Sequence, residues 1–275
     1  MGLLDRFTTS APMAVVDKAP SWDALGEASA AQGGARLREI RAAQDAGRGP
    51  ASHHANLRLF DAPDGFEPRV ELFRDQAGWC PYCQKVWMAL EAKRIPYKVT
   101  KVPMNCYGSK PASFRAISPS GAIPVARIDG QIVPESDDIL FALEELFPEV
   151  PLLPEAGTPE GERARGLMGL ERALFSAWFG WLRSRDDERG RPRFEATMDR
   201  AAAELEATPG PFFLGDKVSL VDIMFLPFVE RMAASLPYYK GLRVRGGRWP
   251  AFDRWFEALE AGTDAGRGAT GPRGG

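Results

Sequence analysis

The sequence predicts a compact α/β domain followed by an all-helical bundle, and three observations carry that expectation. Between Val70 and Pro154 short β-type runs alternate with helical ones, the pattern of strands and helices built around one sheet. A proline-dense stretch, "PEVPLLPEAGTP", then interrupts the pattern. Beyond it Leu167, Leu170, Leu174, Trp178 and Leu182 recur at steps of three and four, the spacing of one buried helix face.

Taken in order, residues 1–62 form an extension rich in Ala, Gly and Pro that contains both histidines, His53 and His54. Within it "ARLREIRAAQ" reads as a short helix burying Leu37 and Ile40, and "DAGRGPASHH" as linker. The α/β domain is expected over 68–150. "VELF" is its first strand, a helix begins near Cys83, "YKVTKV", "PVARI" and "QIVP" are further strands, and "DDILFALEELF" is a helix. The helical domain is expected over 158–261. Its segment "KVSLVDIMF" carries a capping box: the Ser219 hydroxyl accepts from the Asp222 N–H, Asp222 reaches back, and Val218 packs on Ile223. That role is structural, worth about 1 kcal/mol. The remainder, 262–275, "GTDAGRGATGPRGG", reads as a disordered tail.

Composition narrows the function. The 275 residues are 44% hydrophobic, ample for a buried core, and describe a soluble globular protein. A net charge of -2, from 35 basic and 37 acidic residues, supplies no general attraction to nucleic acid or anionic membranes. The longest strongly apolar run, "IMFLPFV", has seven residues and a proline, far short of the roughly 20 that span a bilayer. The start of the chain lacks a basic leader followed by a long apolar stretch, which argues against a secretory signal, and Asp5 and Asp17 fit a plastid transit peptide poorly. Three cysteines, Cys80, Cys83 and Cys106, are too few for a disulfide scaffold. A reducing compartment is expected, the cytoplasm first and the plastid stroma second.

The chemistry centres on "GWCPYCQKVWMAL", residues 78–90. Cys80 falls just before a helix and Cys83 in its first turn, where free N–H groups and the helix dipole favour an anion. A thiolate is such an anion, and thiols in this setting have pKa values of roughly 3.5 to 7.5 against the usual 8.5 or so. Cys80, the outer residue, is the candidate nucleophile. Cys83 has two readings, a resolving thiol or a small core residue. Zinc needs four ligands, and the only others of the right kind are Cys106 and the two histidines of the extension, so no metal is expected. Farther on, the Ile123-Pro124 step ahead of a strand is where a cis peptide exposes main-chain groups to a peptide ligand. Glu135 and Ser136 precede a helix, with Ser136 placed as its cap and the neighbouring N–H groups as a carboxylate site.

"WCPYC", "SKPASF", "GAIPV" and "PES", in this order and followed by a helical half, resemble the glutathione transferase superfamily, over residues 70 to about 260. "CPYC" resembles glutaredoxins, and its union with a transferase body and a long extension is most similar to the iota class, with omega-class and dehydroascorbate reductase members next nearest. The resemblance implies a thioredoxin-like α/β domain joined to the helical bundle, the glutathione transferase fold. Glutathione would be the co-substrate: Cys80 would meet its sulfur, Ile123 before Pro124 its cysteinyl backbone, Glu135 and Ser136 its γ-glutamyl end, and Lys110 its glycyl carboxylate. In the aromatic stretch "LFSAWFGWL" the four rings cannot all face one core stripe; Trp178 and Phe179 are the candidates to line a second-substrate pocket, with ordinary core packing the favoured reading of any one of them.

The implied activity is glutathione-dependent thiol transfer on small-molecule or protein mixed disulfides, with dehydroascorbate reduction by the same thiolate. A thiol at this position favours attack on sulfur over conjugation, for which the family uses a Ser or Tyr hydroxyl. Two alternatives stand beside it, a non-catalytic ligand carrier on the same fold and a conjugating transferase acting on electrophiles. A homodimer is possible.

Overall fold

The structure is a computed structural model that describes residues 20–104, 106 and 108–267. Its first element, α1 (Trp22–Asp45), is capped by Ser21, whose hydroxyl accepts from the Ala24 N–H at 3.1 Å. This helix is far longer than the one expected over 35–44, because alanine-rich sequence propagates a helix without needing a buried face. The expected burial fails accordingly: Leu37 is 55% exposed and Ile40 only half-buried.

The sheet comprises β1 (Leu57–Arg58), β2 (Val70–Asp75), β3 (Tyr97–Val102), β4 (Val125–Ile128) and β5 (Gln131–Pro134) in the order β1-β3-β2-β4-β5. β2 and β3 run parallel, joined across the sheet by α2 (Pro81–Ala92), and the other pairs are antiparallel. β1 lies inside the stretch expected as extension, so that segment contributes an edge strand. A short helix, α3 (Ala112–Ile117), and α4 (Ser136–Leu146) complete this half. Val70 and Leu72 of β2, Val86 and Leu90 of α2 and Ile139 and Leu143 of α4 form its core. The α/β domain expected from the strand and helix pattern is present, with the thioredoxin-like layering that the resemblance implies.

The second half is helical: α5 (Pro159–Arg183), α6 (Asp187–Glu206), α7 (Leu220–Lys240) and α8 (Pro250–Arg267). Leu167, Leu170, Leu174 and Trp178 are buried as their spacing predicts. The apolar run "IMFLPFV" lies in α7 and is buried on nearly every side. Its Ile223 and Met224 enter the α/β core while Phe225 and Phe228 enter the helical one, so α7 fastens the two halves together. The capping box at its start forms as expected between Ser219 and Asp222. α8 continues to Arg267 and so enters the stretch expected as tail; residues 268–275 lie outside the described residues. Among the described residues no helix is long and apolar enough to cross a membrane.

Candidate active site

The carboxyl end of β2, the loop that follows it and the first turn of α2 place the two cysteines. Asp75 ends the strand fully buried, and its Oδ2 accepts the Trp79 N–H, which fixes the loop before Cys80. Its Oδ1 has no hydrogen-bond partner. Arg74, also buried, donates to the Asp75 carbonyl at 2.7 Å and to the His53 carbonyl at 2.8 Å, and its guanidinium stacks over Trp87. The extension therefore touches the base of the site through one arginine.

Cys80 is the N-cap of α2, with Pro81 at the first helical position, where a missing N–H costs nothing. Its Sγ accepts the Cys83 N–H at 3.4 Å and lies 4.0 Å from the Ile123 carbonyl oxygen. The hydrogen bond from the Cys83 side chain, helped by the Cys83 and Tyr82 N–H groups, pulls the Cys80 thiol down to about 7, against burial and the charge of Asp75. Cys83 is 1% exposed. Burial, then its bond to Cys80 and the charge there, push its thiol well above the ordinary range.

Ile123 and Pro124 are joined by a cis peptide bond, and the Ile123 carbonyl faces Cys80. Lys110 stands behind the same loop: its Nζ donates to the Pro103 carbonyl at 3.1 Å, and its stem passes where a Cβ on Gly121 would come within 3.2 Å. Lys110 is a buried lysine. Ser136 departs from its expected role as cap. It is the first helical residue of α4, Glu135 occupies the N-cap with φ 61° and makes no side-chain cap, and the Ser136 hydroxyl faces Asp137 at 3.3 Å. With no side chain capping them, the first-turn N–H groups remain open to an external anion.

The aromatic pair separates. Trp178 belongs to the helical core, its Nε1 donating to Ser235 at 3.2 Å, whereas Phe179 is 41% exposed and stacks on Phe175. Phe175 in turn meets Tyr82, the tyrosine of the cysteine motif, so the aromatic cluster reaches the site through Tyr82 rather than Trp178. Sequence reasoning missed the charged groups under the site. Lys85 of α2 is fully buried and pairs with Asp137 at the start of α4; Glu171, 1% exposed, pairs with Arg172, whose guanidinium faces Phe228 and Tyr82. A lysine buried two residues after a cysteine motif leaves no trace in hydrophobic spacing. Among the described residues no group of three or more His, Cys, Asp or Glu side chains is gathered as a metal would require.

A small mixed sheet that presents a low-pKa cysteine at a helix start, beside a cis-proline loop and against an all-helical second domain, defines a thiol-bearing protein of the transferase fold. Comparison with known proteins agrees. Residues 79–146 match the glutathione S-transferase N-terminal domain and residues 187–258 the C-terminal domain. The chain belongs to the glutathione S-transferase family. It is 34% identical over 170 residues to "Glutathione S-transferase DHAR3, chloroplastic" of Arabidopsis thaliana, covering 62% of this chain but 61% of that one. It is 34% identical over 173 residues to "Glutathione S-transferase DHAR2" of the same plant, covering 62% and 75%. Among solved structures, the Chlamydomonas reinhardtii dehydroascorbate reductase superposes with a TM-score of 0.54 at 26% identity, over 70% of this chain and 88% of that one.

Proposed function

We propose that the protein is a glutathione-dependent thiol transferase that also reduces dehydroascorbate, with Cys80 as nucleophile. The observation that carries the reading is the placement of Cys80: it caps α2 next to the Ile123 carbonyl and accepts the Cys83 N–H, in a setting that lowers its thiol to about 7. Conjugation needs a hydroxyl that stabilises the thiolate of glutathione; a protein thiolate here attacks sulfur instead. The names of the relatives, dehydroascorbate reductases among them, support the substrate class.

In the proposed cycle the Cys80 thiolate attacks the glutathione sulfur of a mixed disulfide. The S–S bond breaks, its electron pair leaves with the substrate thiolate, and Cys80 is left bonded to glutathione. A second glutathione thiolate attacks that sulfur, releasing glutathione disulfide and regenerating Cys80. With dehydroascorbate, Cys80 adds to an activated carbonyl carbon. Attack of glutathione on the Cys80 sulfur then sends the C–S electron pair into the product, giving ascorbate and the same Cys80–glutathione disulfide. Glutathione would lie with its cysteinyl backbone on Ile123, its γ-glutamyl carboxylate at the open first-turn N–H groups that begin with Ser136, its α-ammonium facing Glu135, and its glycyl carboxylate toward Lys110, whose Nζ keeps two donors beyond its bond to Pro103. Phe179 and Tyr82 would border the second substrate.

The test is parallel assay of a glutathione mixed disulfide, dehydroascorbate and an aromatic chloride. Wild type should turn over the first two, and Cys80→Ser should lose at least ~10³-fold of that activity, as nucleophile removal does. Cys83→Ser should leave a one-cysteine route running; its complete loss would establish an obligatory dithiol cycle. Activity on the chloride alone would make the protein a conjugating transferase, and binding of glutathione without turnover would make it a carrier.

A further inference from the structure

One side chain of the helical domain reaches the cysteine motif and brackets it. Arg231 of α7 donates from Nη2 to the Trp79 carbonyl at 2.6 Å and from Nη1 to Gln84 Oε1 at 2.8 Å. Trp79 immediately precedes Cys80 and Gln84 immediately follows Cys83, so a single guanidinium holds both ends of the tetrapeptide. The arginine is itself held, by its Nη1 bond to the Pro227 carbonyl at 2.6 Å and by Gln84, whose Nε2 donates to Glu230 at 3.1 Å. Only 26% of its side chain is exposed. We propose that Arg231 is the positioning residue through which the helical domain sets the geometry of Cys80 and supplies a cation to its thiolate.

Such a group adds a fixed positive charge to the hydrogen bonds that already favour the Cys80 thiolate. Among the described residues, the charged and titratable groups set around the two cysteines are Arg74 and Asp75 from the end of β2, Tyr82 and Cys83 on α2, and Arg231 with Glu230 from α7. Asp75 opposes ionisation of Cys80; Arg231 supplies a cation, which burial disfavours and which the negative charges of Glu230, Cys80 and Asp75 partly restore. A planar fork suits the task because it reaches two acceptors at once, which an ammonium on a flexible stem does less well. The nucleophile is thus complete only when the two domains are docked.

The inference rests on the reading of Cys80 as nucleophile, and its deciding measurement, the alkylation midpoint, does not depend on turnover. The pH dependence of iodoacetamide alkylation of Cys80, read on its peptide by mass spectrometry, is measured in the full chain for wild type, Arg231→Gln and Arg231→Lys. Loss of the cation should raise the midpoint by roughly 0.5 to 1 unit, slowing alkylation at pH 6 about 3- to 10-fold. Arg231→Lys should recover at least half of that shift while kcat on a mixed disulfide stays below wild type, because the fork is lost. An unchanged midpoint in folded Arg231→Gln overturns the proposal, as does a lysine variant no better than glutamine. Should Arg231→Gln fail to fold, Gln84→Met removes one acceptor and keeps the arginine. An upward shift there supports the proposal, and none overturns it. A chain that alkylates as described yet turns over no glutathione substrate retains this inference and loses the functional reading.

Discussion

At Cys80 and Cys83 two identical side chains three residues apart are driven in opposite directions by their surroundings. Cys80 collects hydrogen bonds that favour its anion, while Cys83 is buried and spends its proton on Cys80. Asp75 acts against both, as a buried negative charge that raises each thiol. Asp75→Asn removes that charge and keeps an oxygen for the Trp79 N–H. The Cys80 alkylation midpoint should therefore fall below 7 by roughly 0.5 unit, speeding reaction at pH 6 about 3-fold. An unchanged midpoint would show that the carboxylate does not act on the thiols. The sign matters because a buried carboxylate beside a nucleophile invites the opposite guess, that its loss must slow the chemistry. Cys80, Ile123 and Pro124 could be found from sequence because each sits inside a short motif whose local geometry is its function. Asp75 and Arg231 could not: one is a single acid at the end of an apolar strand, the other meets the motif only across some 150 residues of chain.

At the level of elements, strands and helices with strong periodicity were legible, and those built without it were not. β2, β3 and α5 lie where alternation and the three-four spacing put them. α1 has no buried face to advertise its length, β1 is two residues long, and α3 follows a loop whose sequence reads as irregular. α7 was legible at one end only. Its capping box is a local signal, whereas its burial between two cores depends on partners remote in sequence. Asp222 shows how much hangs on that end: besides Ser219 it accepts the Phe213 N–H at 3.1 Å and the Trp255 Nε1–H at 2.9 Å, joining α7 to α8 and to the turn before it. Asp222→Ala leaves these buried donors without acceptors, at roughly 1–3 kcal/mol each where water cannot reach, so a total loss of about 3–5 kcal/mol is expected. That corresponds to a fall in Tm of about 10 °C in a domain of this size. Asp222→Asn, which keeps one carbonyl oxygen, should lose about half as much. A thermal melt followed by circular dichroism checks both, and an alanine variant within 2 °C of wild type would mean the network carries no net stability.

Across the whole molecule the extension divides into a part that leans on the body and a part that belongs to it. α1 presents Trp22, Leu25 and Leu37 to solvent. From Gly47 onward the chain is tied in: the Leu59 N–H donates to the Gly47 carbonyl, β1 pairs with β3, and Arg58 makes a forked ion pair with Glu91 that also accepts from the Tyr97 hydroxyl. The carbonyls of His53 and His54 receive Arg74 and Lys101, so the same segment supports the strand end that carries Asp75. Deleting residues 1–40 should therefore leave Tm within about 2 °C and Cys80 alkylation unchanged, since the described part of that stretch, from residue 20 on, is largely exposed. Deleting residues 1–62 uncovers Tyr97 and Val99, strips Glu91 of its arginine and removes the acceptor of a buried Arg74. Exposing two core side chains and unpairing a half-buried charge should cost about 3 kcal/mol or more. At 2–4 °C per kcal/mol the longer deletion should melt roughly 6–12 °C lower. Because Arg74 also holds the Asp75 carbonyl, it should shift the Cys80 alkylation midpoint as well. Equal melting of the two truncations would place the support of the site entirely within residues 63–267, and the extension would then be a passenger on the sheet rather than its edge.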